Sequence, residues 1–246
     1  MRQSAVDRST PLLLSISSLV LLGILLFSAC RPGPKKHRTE AQNGVIDLRQ
    51  ADLSSGSYSL NGEWLIHPYR LLFPGDIGIG SPARFPLIWN KLSVKGVELS
   101  SMGYATYRLN VYLPAKHRPL AITIPDAYSS QRLFVNGQLI AEHGKPDTTE
   151  AQYIPKWKKE TVLLPEGDTL QLLLQIANFS HATGGPYEEM RIGDAQKLLS
   201  QQQKSNAVDF LLSGGLLLGG LFFFGLYLFG RHDKSILYFA LFCIAY

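Results

Sequence analysis

Apolar and polar positions alternate along much of the middle of the chain. Tyr107, Leu109, Val111 and Leu113 alternate with Thr106, Arg108, Asn110 and Tyr112, and Leu170, Leu172, Leu174 and Ile176 repeat the pattern. A period of two sends one set of side chains to each face, so both segments predict half-buried strands. Leu133-Phe134-Val135 and Gln138-Leu139-Ile140 flank Asn136-Gly137. Both turn residues tolerate the positive φ of a type I′ turn, which predicts a hairpin. Further strands are predicted at 63–66, 120–124 and 161–164, and Pro114, Pro119, Pro125, Pro155 and Pro165 fall at strand ends, where a missing N–H is tolerated. Short strands with no long amphipathic helix among them predict a mainly β fold, an antiparallel β-sandwich. From Asp194 the period changes. Ala195, Leu198, Leu199 and Gln202 fall at helical spacing and predict a helical connector over 194–209.

The pattern changes again at Phe210. The run to Phe229 carries no charge, and a helix rising about 1.5 Å per residue crosses a hydrocarbon core of about 30 Å in about 20 residues. A first transmembrane helix is therefore expected at 210–230, followed by a cytoplasmic loop at 231–234 holding Arg231 and Lys234. Residues 235–246 read as the start of a second transmembrane helix. At the other end, Arg2 and Arg8 precede an apolar stretch from Pro11 to Phe27, the layout of a secretory signal over 1–29. Phe27-Ser28-Ala29-Cys30 resembles the bacterial lipoprotein box, with Phe27 where Leu is usual. Cys30 is thus the candidate lipidation site; the alternative is an uncleaved anchor helix with Cys30 an ordinary thiol. Arg31, Lys35, Lys36 and Arg38 outweigh the basic residues before the apolar stretch, so an uncleaved helix would be poorly oriented, and cleavage is the easier reading. The expected location is a bacterial cell membrane, with residues 30–209 on the extracytoplasmic side.

Charge adds little. The chain has 24 Lys and Arg against 19 Asp and Glu, and removal of Arg2, Arg8 and Asp7 with the signal leaves 22 against 18. So weak and scattered a balance argues against nucleic acid. The basic segment within 30–43 reads as a solvated linker, or as a strip lying on anionic headgroups. Cys30 and Cys243 are the two cysteines, and neither offers the exported domain, 44–193, an internal disulfide. Its stability must come from an apolar core.

Catalysis finds no support in the spacing. Glu188-Glu189 would point to opposite faces of an extended segment, and the pair Asp126 and Glu142 has no further context for glycoside hydrolysis. His67, His117, His143 and His181 lack close ligand spacing, so no metal is expected. Ser129-Ser130 has no nucleophile-elbow context. No catalytic residue and no cofactor are assigned.

Four segments carry a resemblance: Leu60-Asn61-Gly62-Glu63-Trp64, Pro86-Leu87-Ile88-Trp89-Asn90, Gly103-Tyr104-Ala105-Thr106-Tyr107-Arg108 and Phe134-Val135-Asn136-Gly137. In this order they resemble galactose-binding-like jelly rolls, including the sugar-binding domain of family 2 glycoside hydrolases. Ile124-Pro125-Asp126-Ala127-Tyr128-Ser129, then Asn178-Phe179-Ser180-His181 with Gly184-Gly185, and a membrane helix soon afterwards, are similar to the extracytoplasmic domain of bacterial seven-transmembrane receptors with diverse intracellular signalling modules. That resemblance implies a sensor whose outer domain binds a carbohydrate or related small molecule. Alternatives from other classes are a non-catalytic carbohydrate-binding module of a membrane-attached carbohydrate-active protein, or an envelope protein-interaction module.

Sugars are held by aromatic faces beside planar polar groups. Trp64 and Trp89 lie in the recurring motifs and are expected in the core. Trp157, in the polar context Lys156-Trp157-Lys158-Lys159, and Tyr187 with Glu188, after Gly184-Gly185-Pro186, are the candidate ligand contacts. Asn178 and His181 lead into the same loop and either touch ligand or bond loop backbone. In the membrane run, Gly215 and Gly219 have the spacing that lets helices approach closely, within their own bundle or in a homodimer.

Overall fold

The computed structural model describes residues 39–91, 93–94, 96–230 and 233–245. The signal segment, Cys30, most of the basic linker, Arg231 and His232 lie outside the described residues.

The segments that alternate in the sequence become the centre of the larger sheet. Its members are β1 (Val45–Asp47), β3 (Gly62–Pro68), β4 (Ser81–Phe85), β7 (Gly103–Tyr112), β9 (Ser130–Val135), β10 (Gln138–His143) and β12 (Thr169–Asn178). They lie in the order β10-β9-β12-β7-β3-β4, with β1 parallel to β7. Strands β7 and β12 pair over their full length, so that Tyr107 meets Leu174, Leu109 meets Leu172 and Val111 meets Leu170. These cross-strand pairs all face inward. The smaller sheet contains β2 (Ser57–Ser59), β8 (Leu120–Ile124), β11 (Glu160–Leu163) and β13 (Arg191–Asp194), in the order β11-β8-β13-β2. A two-stranded ribbon of β5 (Ser93–Val94) and β6 (Val97–Glu98) stands apart. The fold is an antiparallel two-sheet sandwich, with one apolar core formed by the inward residues of both sheets, Leu109, Leu172 and Val135 among them facing Ile122 and Ile192.

The hairpin turn is as the sequence predicts: Asn136 and Gly137 have φ of 48° and 82°, and Val135 pairs with Gln138. Trp64 and Trp89 are core residues. Trp64 is stacked on Phe85 at 4.2 Å and donates its ring N–H to the Leu60 carbonyl at 2.7 Å. Strands β1, β2, β4, β5, β6 and β13 have no counterpart in the sequence reading, because they are short and several lack a clear alternation.

Between β3 and β4, residues 69–80 fold back over the outer face of the larger sheet. Leu72 packs there on Phe134 and Leu173. The Leu72 N–H donates to Thr106 Oγ1 at 2.9 Å, and Gln175 Nε2 donates to the Leu72 carbonyl at 2.7 Å. This strap explains why Phe134, on the outer side of its strand, is buried.

Strand β13 runs directly into helix α1 (Ala195–Phe229). Asp194 caps it by accepting from the Lys197 N–H at 3.0 Å, which satisfies one of the free N–H groups of the first turn. The first turns are rooted on the smaller sheet: Ala195 and Leu198 pack on Ala121, and Gln202 Oε1 accepts from the Thr161 N–H at 3.0 Å. The connector and the apolar run are therefore one unbroken helix, since nothing between Asp209 and Phe210 interrupts its hydrogen bonding. By length and composition α1 can cross a membrane.

Helix α2 (Lys234–Ala245) packs against α1. The helices come close at Gly220, which lies beside Ala240, Cys243 and Ile244. Gly215 and Gly219 have nothing within 4 Å of where a Cβ would stand. One residue is about 100° of helix rotation, so the contact falls on a different face from the spacing that the sequence singles out.

Candidate ligand-binding site

Three loops at one end of the sandwich bring aromatic side chains together: 125–129 between β8 and β9, 144–159 between β10 and β11, and 179–190 between β12 and β13. In the first, Asp126 Oδ1 accepts from the Tyr128 N–H at 2.8 Å and Tyr128 has φ +50°, a left-handed conformation that a bulky side chain adopts only when its surroundings hold it. The ring of Tyr128 stacks on Tyr187 at 4.7 Å with planes 12° apart, and on His181 at 5.2 Å and 22°. Trp157 meets it edge-on at 5.8 Å and 90°. Trp157 is 64% exposed and Tyr128 38%.

Each loop is pinned from beneath. In the Trp157 loop, Lys145 and Ile154 exchange backbone hydrogen bonds, and the Lys156 N–H donates to the Ser129 carbonyl at 3.2 Å, which draws Trp157 toward Tyr128. Asn178 is fully buried. Its Nδ2 donates to the carbonyls of Ser101 (2.8 Å) and His181 (2.7 Å), while its Oδ1 accepts from the N–H groups of Ser180 and His181. Of the two roles open to it in the sequence, Asn178 has the backbone-bonding one. His181 divides its groups: Nδ1 accepts from the Thr183 N–H at 3.2 Å, and the ring face lies on Tyr128.

Gly184-Gly185 is rigid packing rather than a supple wall. The Gly184 carbonyl accepts from the Trp89 N–H at 2.8 Å, and a Cβ on Gly185, whose φ is +86°, would stand 2.6 Å from the Trp89 ring. Trp89 in turn donates its ring N–H to the Tyr107 hydroxyl at 2.7 Å. Burial pushes the Tyr107 phenol far above its usual range, so it stays a neutral acceptor. The glycine pair thus sets Tyr187 at a fixed height above the core.

A buried polar chain lies under the first two loops. Gln131 Nε2 donates to the Pro125 carbonyl at 2.7 Å and to His143 Nδ1 at 3.1 Å; His143 Nε2 donates to Glu160 Oε2 at 2.9 Å, and Lys158 bonds Glu160 Oε1 at 2.6 Å. With both Gln131 N–H groups engaged as donors, His143 Nδ1 is the accepting nitrogen of the ring and Nε2 the donating one. Burial raises the Glu160 carboxyl, but the bonds from Lys158 and His143 outweigh that and hold it below its ordinary range. The chain ties the backbone before Tyr128 to the strand after Trp157.

Trp157, His181 and Tyr187 therefore come together, Glu188 is exposed beside them, and Asn178 supports the loop from below. Tyr187 is held well above the usual phenol range by burial, by the Tyr128 phenol beside it and by the charge of Glu188. The member missing from the sequence reading is Tyr128. The Asx-type bond from Asp126 was its available signal, because Asp two residues before an aromatic can impose a turn. Among the described residues no cluster of His, Cys, Asp and Glu has the geometry to hold a metal ion.

No protein-family model matches the sequence, and no curated protein matches it. Among solved structures the chain is similar to part of a glycosyl hydrolase family 2 member from Bacteroides cellulosilyticus (14% identity, TM-score 0.44, 56% of this chain and 20% of that one). It is also similar to part of a β-glucuronidase from an uncultured Clostridium (11%, TM-score 0.44, 56% and 28%) and of one from Ruminococcus gnavus (15%, TM-score 0.40, 55% and 27%). The chain spans less than a third of the length of each.

Proposed function

We propose that the sandwich is the ligand-sensing extracytoplasmic domain of a bacterial seven-transmembrane signalling receptor. It binds a carbohydrate or a related small molecule on Trp157 and the adjoining Tyr128 stack, and α1 carries the response into the membrane. The role is binding rather than catalysis. The observation that supports this most is the convergence of four aromatic rings from three separate loops, with the largest of them exposed. An indole face left in water takes up the C–H face of a sugar, and Glu188 beside it accepts hydroxyl hydrogen bonds. The rooting of α1 on the smaller sheet supports the transmission step, because a displacement of β11 or β13 moves the helix with it.

The test is a saccharide screen by calorimetry on the full chain in lipid nanodiscs, followed by Trp157→Ala. We expect at least one saccharide to bind and the variant to weaken it tenfold or more, with Trp157→Phe between the two and all three melting together. If Trp157→Ala weakens none of the saccharides that bind, the assignment of this site is refuted.

A further inference from the structure

The outer face of the larger sheet carries a cavity of about 510 Å³, walled on one side by the Pro74–Asp76 part of the strap. Its volume falls within the range of small-molecule sites, roughly 300–1,000 Å³. None of the aromatic cluster lines it. Tyr128 precedes β9 and Asn136 follows it, and six strand residues place the two sites about 20 Å apart.

The floor comes from the outward positions of two paired strands. Asn110 and Gln171 are register partners, and Arg108 stands two residues along β7 on the same face. The side-chain amides of Asn110 and Gln171 bond no described residue. Arg108 uses one Nη2 contact, to the Asp76 carbonyl, and pairs with no carboxylate among the described residues.

The walls, by contrast, are tied. On one side Pro74-Gly75-Asp76 forms a turn closed by the Asp76 N–H on the Phe73 carbonyl (3.0 Å) and by the Phe73 N–H on Asp76 Oδ2 (2.8 Å). On the other, the hairpin turn is fastened to β12: Asn136 Oδ1 accepts from the Gln171 N–H at 2.7 Å and Asn136 Nδ2 donates to the Thr169 carbonyl at 3.2 Å. The apolar ends are Leu65 and the Phe134–Leu173 contact.

Held walls around unengaged planar polar groups make a preorganised site. Its chemistry is mixed: Arg108 only donates, Asp76 Oδ1 only accepts, and the two carboxamides do both. A hydroxyl group also does both. Apolar carbon at the ends suits the C–H edges of the same molecule. We infer that this groove is a second binding site, for a polyhydroxylated ligand such as a monosaccharide or a cyclic polyol, independent of the aromatic cluster.

The experiment uses the full chain in nanodiscs with D-galactose, D-glucose and myo-inositol as probes at millimolar concentration, read by ligand-observed NMR and calorimetry. Asn110→Ala and Gln171→Ala remove floor groups that bond none of the described residues, so their melting should match the unaltered chain. We expect at least one probe to bind, each floor variant to weaken it tenfold or more, and Trp157→Ala to leave it unchanged. Hexose binding without inositol binding assigns the site to saccharides, and the reverse assigns it to polyols; either supports the inference. Failure of all three probes to bind overturns it. So does binding that Trp157→Ala abolishes and the floor variants leave intact, an outcome that instead supports the aromatic cluster as the saccharide site.

Discussion

Replacing Trp64 by Ala tests the core most directly. The indole is fully buried, stacked at 4.2 Å on Phe85, and bonded to the Leu60 carbonyl at 2.7 Å. Large-to-small changes at such positions cost about 3–5 kcal/mol because the surroundings relax only in part. The Leu60 carbonyl is then left without its donor, a penalty of about 1–3 kcal/mol if water does not reach it. The terms overlap, so a loss of about 4 kcal/mol is the working figure, against a total stability of about 5–15 kcal/mol for an ordinary domain. For a domain of this size each kcal/mol lowers Tm by about 2–4 °C, giving a fall of about 8–16 °C. Near-UV circular dichroism of the full chain in detergent, scanned with temperature, measures it. Trp64→Phe retains a ring against Phe85 but loses the N–H, and should fall between the two. Trp157→Ala, at a mostly exposed ring, should change stability by less than about 1 kcal/mol. A Trp64→Ala protein that melts with the unaltered chain, or a Trp157→Ala protein whose Tm falls as far as that of Trp64→Ala, would refute the division between core and surface tryptophans.

His67 should make the domain sensitive to acid. Burial first, then Arg108 and Arg70, lower its pKa to about 4, and its Nε2 is buried without a partner. The unfolded chain binds the proton near pH 6.5 and the folded one only near 4, so stability contributed by neutral His67 is present above 6.5 and is lost as pH falls toward 4. The ceiling is about 3 kcal/mol; urea midpoints measured from pH 7 to 4.5 should fall less steeply in His67→Gln, and parallel slopes would count against the assignment. Inserting two glycines after Gln202 should interrupt α1 below its rooted turns. Saccharide affinity should stay the same while any ligand-induced change in spin-label mobility beyond residue 210 disappears; a response that survives the insertion would show that α1 is not the transmitter.

The parts of the fold that were legible are those where one physical signal dominates. In β7 and β12 the alternation is long and strict, and Asn136-Gly137 has few alternatives to a tight hairpin turn, so those elements follow from local chemistry. The short strands were not legible, because two to five residues give a period of two little room to declare itself, and β13 is defined only by its neighbours β2 and β8. At the candidate site, Trp157, His181 and Tyr187 stood out as residue types in polar or glycine-rich contexts. Their meeting on Tyr128 did not, since the partners are separated by as many as 59 residues and nothing in local spacing relates them.

The sequence by itself determines the sandwich class and a helix apolar enough for a membrane, because periodicity and hydrophobicity act over a few residues and survive without knowledge of the rest; the buried place of Trp64 and Trp89 was expected only from the recurring motifs that hold them. Only the tertiary structure decides that Gly184-Gly185 lies flat on Trp89, that Asn178 serves backbone, that Gly220 rather than Gly215 meets α2, and that a polar groove opens beside the strap. Each of those depends on which surfaces come to lie against each other, and packing of that kind is set by the whole chain at once.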